Sequence, residues 1–199
     1  HINERDVRIL METVRTGLNL ELAAATDVLD IACDIQPMQA TLVPEKREEI
    51  TTEGGLALKD KSVCDSIVVA LERLCESKIR TSLFIDPDED IVRISAELGV
   101  DAIELHTGEY ANTWKMENND DELARLKDTA ELARSLGLAV HAGHGLTYEN
   151  VTPVASIEAI EELNIGHSII SRAVIVGIER AVWEMGELIR NARDGVAII

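Results

Sequence analysis

The chain has 199 residues, a net charge of −18, 46% hydrophobic residues and only 3% aromatics. That length suits one domain with a sizeable aliphatic core, and the charge argues against nucleic acid or an anionic membrane as partner. An anionic substrate has to be held by local donors against the global field, and no stretch reads as a membrane span or a signal peptide.

Residues 3–14 place Val7, Leu10, Met11 and Val14 at helical spacing, with Asn3 as cap and Gly17 as stop. Leu18, Leu20 and Leu22 then alternate with Asn19, Glu21 and Ala23, a strand with leucines on one side and a carboxylate on the other. Thr26 or Asp27 is expected to cap a short helix through Cys33. The next strand covers 38–43 and ends in the charged loop Pro44-Glu45-Lys46-Arg47, followed by the polar stretch Thr51-Thr52-Glu53-Gly54-Gly55. A helix over 62–76 and a strand over 80–85 follow. Asp86-Pro87-Asp88-Glu89 reads as a helix start, with Asp86 as cap, proline first and glutamate third.

The next strand is expected over 101–106, then a loop over 107–119. An amphipathic helix starts at Asp120 or Asp121 and is stopped by Gly137. A strand over 137–140 runs into His141-Ala142-Gly143-His144-Gly145-Leu146. A further strand covers 162–166, and a last helix over 168–193 turns Ile169, Ala173, Val176, Ala181, Met185 and Leu188 inward.

Strand and helix thus alternate about six times, which means a parallel sheet with helices outside. The reactive side chains gather after strand ends, which favours an α/β TIM (β/α)8-type barrel over an open sheet. About six of eight strands are present, in a single partial barrel domain over 1–199, and two more are expected before His1. Residues 1–199 by themselves are therefore expected to be inactive and poorly stable, since an open barrel exposes two parallel edges. The three cysteines, Cys33, Cys64 and Cys75, form no C-x-x-C pair and read as reduced, mostly buried thiols of a cytosolic protein.

Glu21 and Glu104 fall on the inward sides of two strands, Glu104 with His106 beside it. A carboxylate inside a barrel is costly unless paired, so each reads either as a structural ion-pair member or as a catalytic group, Glu21 as a general base. His144 lies just past a strand end between two glycines, where an imidazole can deliver a proton to a leaving oxygen or simply brace a loop. His106, His141, His144 and His167 allow a metal site as a weaker reading. Gly166, His167 and Ser168 open the last helix, whose N–H groups and dipole suit a phosphate, with Gly145 on the neighbouring loop. The rival reading of Gly166 is close strand–helix packing. Lys46, Arg47, Thr51, Thr52 and the glycines after them offer a second anion site or a solvated loop.

The segments N-L-E-L-A at 19–23, L-V-P-E-K-R-E-E-I-T-T-E-G-G-L at 42–56, S-L-F-I-D-P-D at 82–88, I-E-L-H-T-G-E-Y-A at 103–111, A-G-H-G-L-T-Y at 142–148 and E-L-N-I-G-H-S-I-I at 162–170 together resemble the pyridoxine 5′-phosphate synthase family. The resemblance spans essentially the whole chain in order. It implies a barrel with extra helices, a homo-octamer in the cytoplasm, and the ring-closing step of vitamin B6 synthesis. In that step 1-deoxy-D-xylulose 5-phosphate and 3-amino-2-oxopropyl phosphate give pyridoxine 5′-phosphate, phosphate and water, with no metal or organic cofactor. By motif, Glu21 matches the family's base, His144 its proton donor and Glu104 a transition-state stabiliser. Thr51, Gly145, Gly166 and His167 match substrate- and phosphate-binding positions, and His1 matches the last histidine of a substrate-contacting loop. A further catalytic histidine and a substrate-binding arginine of the family would lie upstream. His141 stands where the family has asparagine. A metal-dependent barrel hydrolase or isomerase, and a phosphate-binding scaffold without catalysis, are the rival readings.

Overall fold

A computed structural model describes residues 2–44 and 54–194. His1, Lys46, Arg47, Thr51 and Thr52 lie outside the described residues. Six parallel strands form one sheet: β1 (Asn19–Leu22), β2 (Gln39–Leu42), β3 (Arg80–Ile85), β4 (Ala102–His106), β5 (Ala139–Gly143) and β6 (Glu162–Asn164). Each strand lies beside its predecessor in the chain. An open doubly wound sheet reverses its order at a switch point. Unbroken sequential order with right-handed crossovers instead puts every helix on one face and curls the sheet around the other. The result is a TIM-type half-barrel.

The helices are α1 (Glu4–Thr13), α2 (Thr26–Ile35), α3 (Lys61–Glu76), α4 (Glu89–Glu97), α5 (Gly108–Asn112), α6 (Asn119–Ser135), α7 (Val151–Ala155), α8 (His167–Val176) and α9 (Ile178–Arg193). Asn3 caps α1 in a capping box with Asp6, each accepting the other's N–H at 3.2 Å. Between sheet and helices lies the core. Leu22, Leu42, Leu83, Ile85, Ile103, Leu105 and Val140 point outward from the strands onto Leu29, Ile67, Leu74, Val92, Leu126 and Ala133 of the helices, all buried. Cutting a side chain such as Leu83 or Ile103 to alanine there costs about 2–5 kcal/mol.

The register fixes what faces the other way. Glu21 pairs with Thr41, Thr41 with Ser82, Phe84 with Glu104, Glu104 with His141, and Gly143 with Asn164. Side chains alternate along a strand, so the inner face is polar where the outer face is aliphatic. On it, Thr41 Oγ1 donates to Asn19 Oδ1 at 2.9 Å. Ser82 Oγ, His106 Nε2 and His141 Nδ1 are buried with no hydrogen-bond partner among the described residues.

Several local expectations change. Helix α2 starts after Ala25 with no side-chain cap and runs on to Ile35, so neither Thr26 nor Asp27 caps it. Asp88, not Asp86, caps α4, accepting from the N–H groups of Asp90 at 2.9 Å and Ile91 at 3.1 Å. The segment 107–119 contains α5 rather than loop alone. Strand β5 begins two residues later than expected and takes in His141, Ala142 and Gly143, because Gly137, at φ 88°, is spent ending α6. The last helix is broken at Gly177, which has φ 85° and ψ 153°. As a consequence Ala181 and Met185 of α9 are buried, while no residue of α8 is, Ile169, Ala173 and Val176 included. The cysteines are free but not buried: Cys33 and Cys64 are half-buried and Cys75 is exposed.

Candidate active site

The C-terminal strand ends open into a cavity of about 1440 Å³ whose walls include Glu21, Glu104, His144, Gly145, Gly166 and His167. Six of the eight residues singled out from sequence therefore share one space, and the other two, His1 and Thr51, lie outside the described residues.

Glu104 sits on β4 and is 3% exposed. Its Oε2 accepts from Asn164 Nδ2 at 2.7 Å, a bond that reaches from β4 to β6 across β5. Glycine at position 143 makes room, since a Cβ there would lie 2.4 Å from Glu104 Oε1. Glu21 differs from its sequence reading: it lies on the inner side of β1 but is exposed, near one wall of the cavity rather than enclosed.

His144 is exposed and adopts φ 81°, with Gly145 following at φ 78°. A left-handed conformation is uncommon for a residue with a Cβ and needs its surroundings to fix it. Thr107 does so: its N–H donates to Gly143 O at 2.8 Å, and its Oγ1 lies 2.8 Å from Gly143 O and 2.6 Å from His144 O. At Gly145 a Cβ would come within 2.7 Å of Ala111 Cβ. Asn150 closes the loop, donating from Nδ2 to Gly145 O at 3.2 Å and accepting Thr147 N–H at 2.7 Å.

Gly166 precedes α8, and His167 is its first residue. A Cβ at Gly166 would meet nothing within 4 Å, so close packing of strand and helix does not account for this glycine. Ser168 Oγ donates to Leu146 O at 2.8 Å and ties the helix start to the loop after β5. The first N–H groups of a helix of this length, with its dipole, make an anion site.

Three features were missed in the sequence: Arg172 at the cavity wall, the support Asn164 gives Glu104, and the pairing of His106, itself read as inward-facing, with Asp86. Arg172, inside α8, brings a cation to the cavity wall, its Nε donating to Glu184 Oε2 at 2.8 Å. Asn164 supports Glu104, although it lay in plain view in L-N-I-G-H. His106, buried at 4% exposure, has Nδ1 3.1 Å from Asp86 Oδ1. The hydrogen bond to His106 holds the Asp86 carboxyl below the ordinary carboxylate range, against the opposing effect of burial, and a bond from Gly55 N–H at 2.9 Å adds to it. That last bond commits one amide of the glycine pair to Asp86 rather than to a second anion. Burial pushes the His141 imidazole down, partly offset by Glu162.

A second groove, of about 870 Å³, lies beside Asp86, Asp88, Asp90, Asp121 and Asp128, with Arg125 on its wall. Its described wall is mostly acidic, whereas the cavity around His144 also has His167, Arg172 and the start of α8 on its wall. Among the described residues, no group of three or more His, Cys, Asp or Glu side chains is arranged to hold a metal ion, and no helix is long and apolar enough to cross a membrane.

The α-subunit of tryptophan synthase from Pyrococcus furiosus superposes with a TM-score of 0.60 over 93% of this chain and 70% of its own, at 13% identity, a likeness of fold alone. Among curated relatives, the pyridoxine 5′-phosphate synthase of Trichlorobacter lovleyi is 52% identical over 191 residues, 96% of this chain and 79% of that protein. That of Crocosphaera subtropica is 55% identical over 185 residues, 93% of this chain and 76% of its own. A family model, pyridoxal phosphate biosynthesis protein PdxJ, matches residues 1–191, and the chain belongs to that family.

Proposed function

We propose that the chain acts as a pyridoxine 5′-phosphate synthase, joining 1-deoxy-D-xylulose 5-phosphate to 3-amino-2-oxopropyl phosphate and releasing phosphate and water. The observation that carries this reading is that Glu21, Glu104 and His144, from three different strands or strand ends, line one cavity with the start of α8. The reaction needs an amine to condense with a carbonyl, protons to move between carbons, a phosphate to leave, and a carbon–carbon bond to close with loss of water. A base must take carbon-bound protons, an acid must protonate departing oxygens, and fixed anchors must hold the phosphates.

In this scheme Glu21, open to the cavity, removes the carbon-bound protons. His144 delivers a proton to the departing oxygen. Glu104, buried and held by Asn164, stabilises the cationic imine as charge develops, and a preorganised carboxylate does this without reorganising. Gly145, Gly166 and His167 anchor phosphate through backbone N–H groups and the dipole of α8, with Arg172 adding charge at the wall. His1 and Thr51 are assigned to substrate contact through the family motif. No metal or organic cofactor enters the scheme, and the family resemblance adds a homo-octamer as the working assembly in the cytoplasm.

The test is formation of pyridoxine 5′-phosphate from the two named phosphates by the full-length protein, with Glu21→Gln, Glu104→Gln and His144→Gln beside it. Loss of product formation with retained substrate binding is expected. Unimpaired turnover in a variant removes the role assigned to that residue, and binding without turnover in the unsubstituted protein favours a phosphate-binding scaffold instead.

A further inference from the structure

His106 is a buried inner-face group that this scheme leaves unused. Its Nδ1 lies 3.1 Å from Asp86 Oδ1. An ionised carboxylate only accepts, so this bond places the proton of the neutral ring on Nδ1 and leaves Nε2 as the acceptor nitrogen. Nε2 is buried without a hydrogen-bond partner among the described residues, and Gly108 passes so close that a Cβ there would lie 2.6 Å from it. The His106 ring meets Phe84 edge-on at 5.2 Å and faces the ring of His144 at 4.8 Å, tilted by 59°. Thr107, the next residue, holds the left-handed turn of His144. Two consecutive residues at the end of β4 thus meet His144, one at its ring and one at its backbone.

We propose that the Asp86–His106 pair is a positioning device for His144, fixing the imidazole in the orientation from which it serves the reaction. Asp86 locks the rotation of the His106 ring, and the locked ring limits where the His144 ring settles. Around the cavity that His144 shares, the other ionisable groups among the described residues are Glu21, Glu104, Tyr148, Glu149, His167 and Arg172. Asp86 adds its charge from the far side of His106. This proposal rests on the assignment of His144 as proton donor, and its test separates the two.

Two variants of the full-length protein serve. His106→Phe keeps an aromatic ring between Phe84 and His144 and removes the bond to Asp86. Asp86→Ala leaves the buried imidazole in place and removes the oxygen that accepts from Nδ1. The readouts are kcat and KM, and the titration of the His144 ring followed by NMR of labelled histidine. Both variants are expected to lower kcat about tenfold or more with KM within about threefold, and to move the His144 midpoint by about half a unit or more. Unchanged kcat together with an unchanged His144 titration in folded Asp86→Ala overturns the proposal, as does a loss of stability with neither readout altered. If His144→Gln keeps full turnover, the donor assignment fails by itself. The positioning proposal then stands or falls on the titration alone, supported by a moved midpoint and contradicted by an unmoved one.

Discussion

Asn164 on β6 donates to Glu104 on β4 at 2.7 Å, over an intervening strand whose residue at that level, Gly143, has no side chain. The carboxylate, the amide and the glycine form one unit. A Cβ at position 143 would lie 2.4 Å from Glu104 Oε1 and 2.9 Å from Asn164 O. Gly143→Ala is therefore expected to push Glu104 off Asn164, costing about 1–3 kcal/mol of stability and most of the turnover. Chemical denaturation and product formation measure the two effects. Normal stability with normal kcat would show that the close approach is not needed.

His141 is buried, and charging it in the folded state is unfavourable, so burial holds it below its ordinary value of 6.5. The unfolded chain takes up that proton at the ordinary value. Its contribution to stability is thus complete above about 6.5 and is lost as pH falls through the lower folded value. Melting temperature measured from pH 7.5 down to 5, values chosen to bracket the ordinary histidine range of about 6.5, should fall less steeply in His141→Asn than in the unsubstituted protein. Parallel curves would mean that His141 does not supply this slope.

Gly166 and Gly145 separate two uses of glycine. Gly166 has φ −115° and open space where a Cβ would go. Gly166→Ala is accordingly expected to change stability by less than about 0.5 kcal/mol while raising KM for the phosphorylated substrates about tenfold, since only a ligand needs the space. Gly145→Ala, at positive φ and against Ala111, should lose both stability and affinity. Equal KM values for Gly166→Ala and the unsubstituted protein would remove the anchor from that position.

Gly177 holds φ 85° and ψ 153° between α8 and α9, a region open almost solely to glycine. Gly177→Ala should cost about 1–3 kcal/mol by thermal unfolding and leave KM for both substrates nearly unaltered. A variant as stable as the original would show that the two helices can run on as one.

Much of this was legible in the residues. Strand β3 was read at its observed limits, where Asp86-Pro87 ends the run Leu83-Phe84-Ile85, and the placement of Glu104 on the inner side of a strand and of His144 and Gly145 after a strand end follows from period and turn residues alone. His141-Ala142-Gly143 read as loop because histidine and glycine are poor strand formers, yet the inner face of this barrel requires small and polar residues at that level. Asp86 and Asp88 are equally good caps in sequence, and the choice is made by the partners Asp86 finds in His106 and Gly55. Such pairings depend on strand register, which spacing does not report. The break at Gly177 was hidden because a single glycine does not interrupt an apolar helical pattern.

The central claim is that the carboxylate of Glu21 takes carbon-bound protons in a cavity shared with Glu104 and His144. The most direct measurement is single-turnover formation of pyridoxine 5′-phosphate by full-length Glu21→Gln, with binding of both phosphates measured in the same preparation. Binding close to that of the unsubstituted protein is expected, with turnover reduced by about a hundredfold or more. Turnover at the unsubstituted rate would contradict the claim.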